Sequence, residues 1–302
     1  MLNKFVPALK KNAFFVFFYQ YLKKSRKEFR FYINKYLKNS ISASSLYEDL
    51  MGCGIKPGDK IVLNSSLSAI GHVDGGAETV LDVLMNYITP EGLLVMPSYP
   101  HRGMFNYLEN YSVFDVRNTP SQNGIITEIF RKRKDVYRSI HPTHPLCFWG
   151  KESDYFAEGH EKSISPYDSK SPYKKLLDVN VKNFCIGVDF EHMIMIRVID
   201  DLYEDYPVPM YFENKSYSIP VIGKNGEEIM VETKCHDPKK SAVRHNMNLF
   251  EYMKNDLLVS RFGNAKTITL SSKKMFKHQI ELSQKRIFPY YDLSPFKINS
   301  RL

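Results

Sequence analysis

The sequence predicts an α/β fold in which helices cover both faces of a central sheet and a β-hairpin is added. Short apolar segments of strand length alternate along the chain with longer segments of helical periodicity, an order typical of such sheets. Asn225-Gly226 lies between two later apolar segments and suits a tight hairpin turn. At 302 residues, with 43% hydrophobic and 25% charged residues, the composition excludes a disordered or collagen-like chain.

The first predicted elements surround a loop rich in small polar residues. A helix over 46–51 ends in a turn that contains glycine and proline, and a short buried strand, KIVL, follows at 60–63. The loop NSSLSAIGHVDGGAE then leads into a helix with apolar periodicity over 79–88. The segment GLLVMPSY at 92–99 is predicted as the second buried strand.

The second half predicts a third strand, the hairpin and further helices. The strand FCIGV at 184–188 leads into a helix over 193–203. No repeat or break in composition follows residue 39, so we predict one α/β domain over 40–302. The remaining predicted elements are the hairpin strands 217–222 and 228–233, a helix at 241–256, a strand at 266–270 and a helix at 272–284.

Residues 1–39 form a basic, aromatic arm. They hold ten of the 42 lysines and arginines and one of the 33 acidic residues, so the other 263 residues carry 32 of each sign. The net charge of +9 therefore belongs to the arm, and it informs about partners rather than fold. The apolar run AFFVFFYQYL is too short for a bilayer span, which needs about 20 residues. KKSRKEFR directly after it does not suit a signal peptide.

Two interpretations of the arm stay open. It forms an amphipathic segment on an anionic membrane surface, which would place a cytoplasmic protein on the inner face of the cell membrane. Alternatively, it packs its aromatic stripe on the main domain or on a second subunit, which allows a homodimer. Nothing else in the chain supports nucleic-acid binding, so we expect no nucleic-acid partner. The aromatic side chains concerned are Phe14, Phe15, Phe17, Phe18 and Tyr21.

The four cysteines predict a reducing compartment. They are far apart in the sequence and form no C-x-x-C pair, which excludes a disulfide framework and a paired zinc-ligand spacing. We therefore expect no metal. These residues are Cys53, Cys147, Cys185 and Cys235.

The loop Asn64–Ser68 is the first candidate binding site. It follows a strand and precedes a helix, and ligands of open α/β sheets gather at the carboxyl ends of strands. A helix N-terminus there offers free backbone N–H groups to phosphate or pantetheine oxygens. The spacing is neither a P-loop nor a dinucleotide-binding fingerprint, so an ordinary polar loop remains the alternative.

Two further groups contain histidine. His141 and His144 are three residues apart between prolines, and they can act as acid–base groups, as metal ligands or as structural residues. Cys235-His236-Asp237 invites a thiol-nucleophile interpretation, but neighbours in an extended segment point to opposite faces. Asp237 can orient another group or serve as a turn residue.

An acidic run ends the predicted helix over 193–203. One face of the run could attract an amine, and the alternative is a solvated helix end. The run consists of Asp200, Asp201, Glu204 and Asp205.

The segment NTPSQNGIITEIFRKRKDVYRSIHPTHPLCFWGK resembles the middle of the aminoglycoside 3-N-acetyltransferase family. That family typically shows Thr-Pro, a Gly-led helix, Arg-Ser-x-His-Pro and a short strand ending in Gly. Further matches make the resemblance cover residues 45–205 well and the remainder more loosely. It implies a three-layer α/β/α sandwich with a mixed central sheet that binds acetyl-coenzyme A as acyl donor. These matches are VLNSSLSAIGHVDGGAETV, EGLLVMPSY, SPYKKLLD and FCIGVDFE.

The resemblance also implies roles for particular residues. In the family a histidine on the helix after the third strand is the general base, supported by acidic residues near the position of Asp237. A base is needed because an ammonium group is not nucleophilic. Coenzyme A binding is implied for Ser65, Ser66, Leu67, Arg138, Ser139 and Ser171.

This sequence departs from the family at two of those positions. Arg197 stands where the family has its basic histidine, and a guanidinium stays protonated near neutral pH. Asn64 replaces a second histidine before the two serines. Either another histidine is the base, or the chain binds ligands without catalysis and Arg197 pairs with an anionic group. The candidate bases are His141, His144, His192 and His236.

We therefore expect an acyl-coenzyme A-dependent N-acyltransferase, most simply an N-acetyltransferase. Its expected acceptor is a nucleotide-linked amino sugar in surface polysaccharide biosynthesis. One alternative is an aminoglycoside 3-N-acetyltransferase that confers antibiotic resistance. A second is a catalytically degenerate homologue that binds a ligand or is recruited to a membrane.

Overall fold

The computed structural model describes residues 40–110 and 113–296, so the predicted arm lies outside the described residues. A seven-stranded sheet forms its centre, in the order β4-β5-β2-β1-β6-β10-β9. β1 pairs in parallel with β2 and β6, and the outer pairs are antiparallel, which makes the sheet mixed. Its strands are β1 (Lys60–Ser65), β2 (Leu93–Pro97), β4 (Tyr137–Arg138), β5 (Leu146–Gly150), β6 (Lys182–Ile186), β9 (Leu258–Phe262) and β10 (Ala265–Ser271).

Helices cover both faces of this sheet. In β1 the side chains alternate, so that Ile61 and Leu63 enter one core and Val62 enters the other. α1, α3 and α5 cover the first core, and α6, α7, α10 and α11 cover the second. The predicted three-layer fold is confirmed. The helices are α1 (Ala43–Gly52), α2 (Leu67–Ile70), α3 (Gly76–Ile88), α4 (Met104–Glu109), α5 (Ile125–Phe130), α6 (Ser153–Ala157), α7 (Pro172–Asp178), α8 (Ile199–Leu202), α9 (Pro238–Ala242), α10 (Met247–Met253) and α11 (Ser272–Gln284).

The predicted hairpin is present and belongs to a second sheet of order β3-β7-β8. β7 (Tyr211–Ile222) and β8 (Glu228–His236) are antiparallel, and β3 (Phe114–Asp115) pairs in parallel with the end of β7. Gly226 occupies the turn with a positive φ of 87°, a conformation in which glycine has no steric penalty. The hairpin therefore adds a wall beside the main sheet.

Two predicted helices are wrong in extent. The segment after β6 forms 3₁₀ turns at Phe190–His192 and Ile194–Arg197 before α8, because Met193 is extended at their junction. Four consecutive residues from Met193 are buried, so the segment lacks the polar face of a surface helix. The helix expected over 241–256 is divided into α9 and α10, because the buried residues Arg244 and Asn246 between them bond to other elements.

The ends of three parallel strands meet at one edge of the sheet. β1, β2 and β6 all finish there, and their following loops converge with β8 and α9 of the hairpin region. Gly187 directly after β6 has φ +66°, and a Cβ at this position would lie 2.3 Å from Cβ of Ala69 in α2. The chain can therefore leave β6 in close contact with α2 only with glycine here. Within the described residues, no helix is long and apolar enough to cross a bilayer.

Candidate active site

A cavity of about 1250 Å³ opens at this edge of the sheet. Pockets for a single small ligand measure about 300–1000 Å³, so the cavity has room for two substrates. Its walls come from the loops after β1, β2 and β6, from the start of α5, and from β8 with α9. The site therefore lies where the topology of the sheet places ligands.

The floor of the cavity consists of buried aromatic and imidazole rings. Tyr99 and Tyr173 exchange a hydroxyl hydrogen bond of 2.9 Å, and Tyr173 donates to the His144 carbonyl at 3.3 Å. The His144 ring contacts Tyr99 at 4.9 Å and Tyr167 at 5.3 Å between centroids. These contacts hold the His144 imidazole rigidly against the cavity.

His144 and His236 are both neutral at ordinary pH. Burial lowers the pKa of each well below its usual 6.5, and the Arg197 guanidinium lowers both further. His144 bonds through Nδ1 to the Thr143 hydroxyl at 2.8 Å. Nε2 of His236 is shielded from solvent and has no hydrogen-bond partner among the described residues. Both rings can therefore receive a hydrogen bond or a proton from a ligand.

Arg197 is half-buried in the cavity wall at the end of the second 3₁₀ turn. Its charge acts on Tyr99, Tyr167 and both cavity histidines. Across residues 40–110 and 113–296 its guanidinium makes neither a hydrogen bond nor an ion pair. The floor thus holds a cation whose donors are not used by any other residue that the structure describes.

His192 also lines the cavity, in the 3₁₀ turn after β6, and its side chain is exposed. Its neighbour Glu191 accepts backbone N–H groups from Asn246 and Met247 at 3.2 and 3.1 Å, which ties this turn to α10. The turn is therefore fixed in position while the imidazole stays accessible.

The structure places the predicted loop in the cavity. Ser65 ends β1, Ser66 precedes α2, and Leu67 begins it; all three line the cavity. The Ser66 hydroxyl lies 3.3 Å from that of Ser68. This part of the prediction agrees with the topology, although which substrate the loop contacts remains a prediction.

Two other predicted residues lie behind the floor instead. Arg138 is buried and donates to the carbonyls of Val116, Thr119 and Ser98 at 3.2, 2.6 and 2.5 Å. The Ser139 hydroxyl bonds to His160 at 2.9 Å and accepts the Leu146 N–H. Nε of Arg138 has no hydrogen-bond partner among the described residues, the other polar groups bond within the protein, and neither residue lines the cavity.

His141 is completely buried and stacks on His160 at 4.4 Å. Burial lowers its pKa to about 3. Its Nδ1 lies within 3.3 Å of the backbone N–H groups of Thr143 and His144, and Nε2 is 3.4 Å from the Thr233 hydroxyl. The ring therefore organises the turn that presents His144, and it does not itself reach the cavity.

Ser171 and Asp237 also stand outside the cavity lining. The buried Ser171 hydroxyl donates to the Asp168 carbonyl at 2.7 Å, just before α7. Asp237 is the N-cap of α9, where its carboxylate accepts the Lys239 N–H at 2.8 Å. This geometry fits the local, turn-forming interpretation of Asp237.

The acidic run is not the solvated helix end that was one expectation. The carboxylate of Asp200 is fully buried and pairs with Arg244 at 2.6 Å. Asp201 accepts the Tyr211 hydroxyl at 2.6 Å, and burial raises its pKa to about 7. Glu204 and Asp205 are exposed, and none of the four residues lines the cavity.

Sequence reasoning missed much of the cavity lining. Tyr99 directly follows β2, so the rule about strand ends could have found it. Tyr167 and Lys234 enter only through tertiary packing, and no sequence pattern marked them. Within the described part of the chain, no group of three or more His, Cys, Asp or Glu could hold a metal ion.

Residues 62–284 match the family model described as aminoglycoside 3-N-acetyltransferase. The chain is 31% identical over 238 residues to the SPbeta prophage-derived aminoglycoside N(3')-acetyltransferase-like protein YokD of Bacillus subtilis, covering 73% of this chain and 84% of that protein. It is 23% identical over 232 residues to aminoglycoside N(3)-acetyltransferase III of Pseudomonas aeruginosa, covering 72% of this chain and 82% of the relative.

A solved structure with the same fold is AAC-IIIb in a binary complex with CoASH. It aligns with a TM-score of 0.68 and 17% identity, over 84% of this chain and all of that chain. At this level of identity the likeness concerns the fold.

Proposed function

The chain belongs to the aminoglycoside 3-N-acetyltransferase family, and from that premise we propose that it transfers an acetyl group from acetyl-coenzyme A to the amine of an amino sugar. The observation that carries the proposal is the position of the cavity. It lies at the carboxyl ends of the central strands, is bordered by the loop Ser65–Leu67, and has room for a donor and an acceptor together.

The reaction needs an uncharged amine beside the thioester. The amine nitrogen attacks the thioester carbonyl carbon, the C–N bond forms, and the C–S bond breaks. Coenzyme A leaves as a thiolate and takes up the second proton that the nitrogen loses, which gives the free thiol. One proton of the ammonium group must pass to a base, since an ammonium nitrogen has no free electron pair. The site must therefore hold a proton acceptor at the cavity.

We assign that proton acceptor to His192. Its imidazole lines the cavity and is exposed, so a proton taken from the amine can pass on to water. His144 and His236 are weak bases, because burial lowers the pKa of both well below its usual value. His141 does not line the cavity, because the turn that it bonds to lies between. We therefore assign it a structural role.

The acceptor class comes from the relatives. Their names favour the aminoglycoside alternative, and none of them supports a role in surface polysaccharide biosynthesis. A solved relative in complex with sisomicin shares the fold, with a TM-score of 0.69 over 82% of this chain. We accordingly propose an amino sugar as the acceptor, and the aminoglycosides are the amino sugars that the relatives' names print.

The test is release of free thiol from acetyl-coenzyme A by the purified chain. Acceptors are glucosamine, glucosamine 6-phosphate, sisomicin and gentamicin, with identification of the acetylated amine by NMR. We expect one free thiol to be released for each N-acetyl group formed. If no amine stimulates thiol release while coenzyme A still binds, the chain is instead a ligand-binding homologue without catalysis.

The arm over 1–39 lies outside the described residues, so three predictions stay as made. They are the contact with an anionic membrane surface, the homodimer and the cytoplasmic location. None of them is needed for the proposed reaction.

A further inference from the structure

We infer that Arg197 binds an anionic group, a phosphate or a carboxylate, that the acceptor sugar itself carries. The inference rests on the proposed acetyl transfer and narrows its acceptor class. Arg197 lines the cavity, and its side chain is half-buried. None of its N–H donors bonds to another described residue. A guanidinium offers paired donors that match a phosphate or carboxylate.

The surrounding charges leave a positive excess at the cavity floor. Asp200 pairs with Arg244 at 2.6 Å, and the Arg197 charge also acts on this carboxylate. Two guanidinium groups thus share one buried carboxylate. Asp201 is only partly ionised near neutral pH, since burial raises its pKa to about 7. An anion bound at Arg197 would complete the charge balance in a region of low polarity.

The whole cavity shows the same imbalance. Of the charged side chains in its lining, Arg102, Arg197 and Lys234 are cationic, and Glu191 is the only carboxylate in the described lining. The two oxygens of Glu191 already accept backbone N–H groups at the start of α10. A polycationic acceptor would therefore find positive neighbours and no free carboxylate in this lining.

The position of Arg197 favours the acceptor over the coenzyme. It acts on His144, His236 and Tyr167 at the floor, beside β8 and α9. The loop Ser65–Leu67 and the exposed Arg102 also line the cavity, and they remain available to the donor. His192, the proposed base, is on the same segment as Arg197. One segment can therefore hold both the amine and the anion of a single acceptor.

The experiment compares the chain with Arg197→Gln, Arg197→Lys and the control Arg261→Gln. Arg261 is exposed on β9 and does not line the cavity. The quantity measured is the ratio of kcat/KM for glucosamine 6-phosphate to that for glucosamine, from thiol release. 2-Amino-2-deoxyglucuronate replaces the phosphate with a carboxylate, and gentamicin supplies the polycation. Calorimetry of the same sugars with coenzyme A present measures binding without turnover.

We expect the ratio to be about 10–100 in the parent chain, the value of one charge-assisted contact. It should fall to about 1 in Arg197→Gln, stay intermediate in Arg197→Lys and remain at the parent value in Arg261→Gln. A preference for either anionic sugar supports the inference, and the stronger binder identifies the group.

Three results would overturn the inference. They are an unchanged ratio in Arg197→Gln, a change confined to KM for acetyl-coenzyme A, or a parent chain that prefers gentamicin. Failure of the proposed acetyl transfer gives a result that is distinct from these three. In that case no amine is acetylated, but calorimetry still shows whether glucosamine 6-phosphate binds and whether Arg197→Gln abolishes that binding.

Discussion

The two histidines of the His-Pro-Thr-His-Pro segment lie on opposite sides of the cavity floor. His144 faces the cavity, and His141 lies behind the floor, stacked on His160 with its ring nitrogens directed to groups of the protein. The same division separates Arg197 from Arg138. The first guanidinium has no partner among the described residues, and the second is bonded to three carbonyls.

The comparison shows that the type of residue does not decide which groups can act on a substrate. What decides is whether a side chain at the cavity has hydrogen-bond donors or acceptors that no other described residue uses. A buried polar group whose bonds are all made inside the protein contributes to stability. A polar group at the cavity with bonds to spare can contribute to binding or catalysis. The predictions below test this division.

His192→Ala should have the largest effect on activity. Loss of a general base lowers kcat/KM by about 10²–10⁴-fold. Because the side chain is exposed, the free energy of unfolding should change by no more than about 0.5 kcal/mol. His72→Ala is the matched control, since His72 does not line the cavity. Full activity of His192→Ala would place the base elsewhere.

Arg138→Met should affect stability instead of chemistry. The change leaves three buried carbonyls without their donor, and the free energy of unfolding should fall by about 3 kcal/mol or more. Urea denaturation measures this loss, with Arg261→Met as the exposed control. KM for acetyl-coenzyme A should stay unchanged in the folded protein. A raised KM at unchanged stability would instead support the coenzyme-binding role that the sequence suggested.

The histidine behind the floor should make stability depend on pH. His141 has a folded pKa of about 3, against about 6.5 when unfolded, so below pH 6.5 only the unfolded chain takes up its proton. Its contribution is fully present above pH 6.5 and is lost as the pH falls toward 3, by about 1.4 kcal/mol per pH unit. Urea unfolding at several pH values should give a shallower slope for His141→Asn. Equal slopes would contradict the assignment.

Asp237→Ala should have the smallest effect. Removal of an N-cap carboxylate costs about 1 kcal/mol, and thermal unfolding measures it. Asp237→Asn, which keeps an oxygen acceptor for the Lys239 N–H, should recover most of that loss. A large fall in acetyl transfer by a stably folded Asp237→Asn would show a catalytic role for the charge.

Much of the fold could be predicted from the sequence, because β1, β2 and β6 contain short apolar segments followed by small or polar turn residues. The loop Ser65–Leu67 could be placed in a site for the same reason, since it follows a central strand. The segment from Met193 to Ile196 could not be predicted, because its continuous burial is decided by contacts with distant elements. Nor could the sequence show that Arg138 and His141 face inward. The carbonyl partners of Arg138 are distant in the sequence, and the backbone N–H partners of His141 depend on the turn that follows it.

The most direct test of the division is acetyl transfer by His192→Ala and His141→Asn, measured beside the parent chain. Thiol release with acetyl-coenzyme A and glucosamine 6-phosphate is recorded at a pH of about 8, where His141 is neutral, and is expressed per folded molecule. We predict that His192→Ala loses transfer and that His141→Asn retains it. Loss of transfer in folded His141→Asn with full activity in His192→Ala would contradict the account.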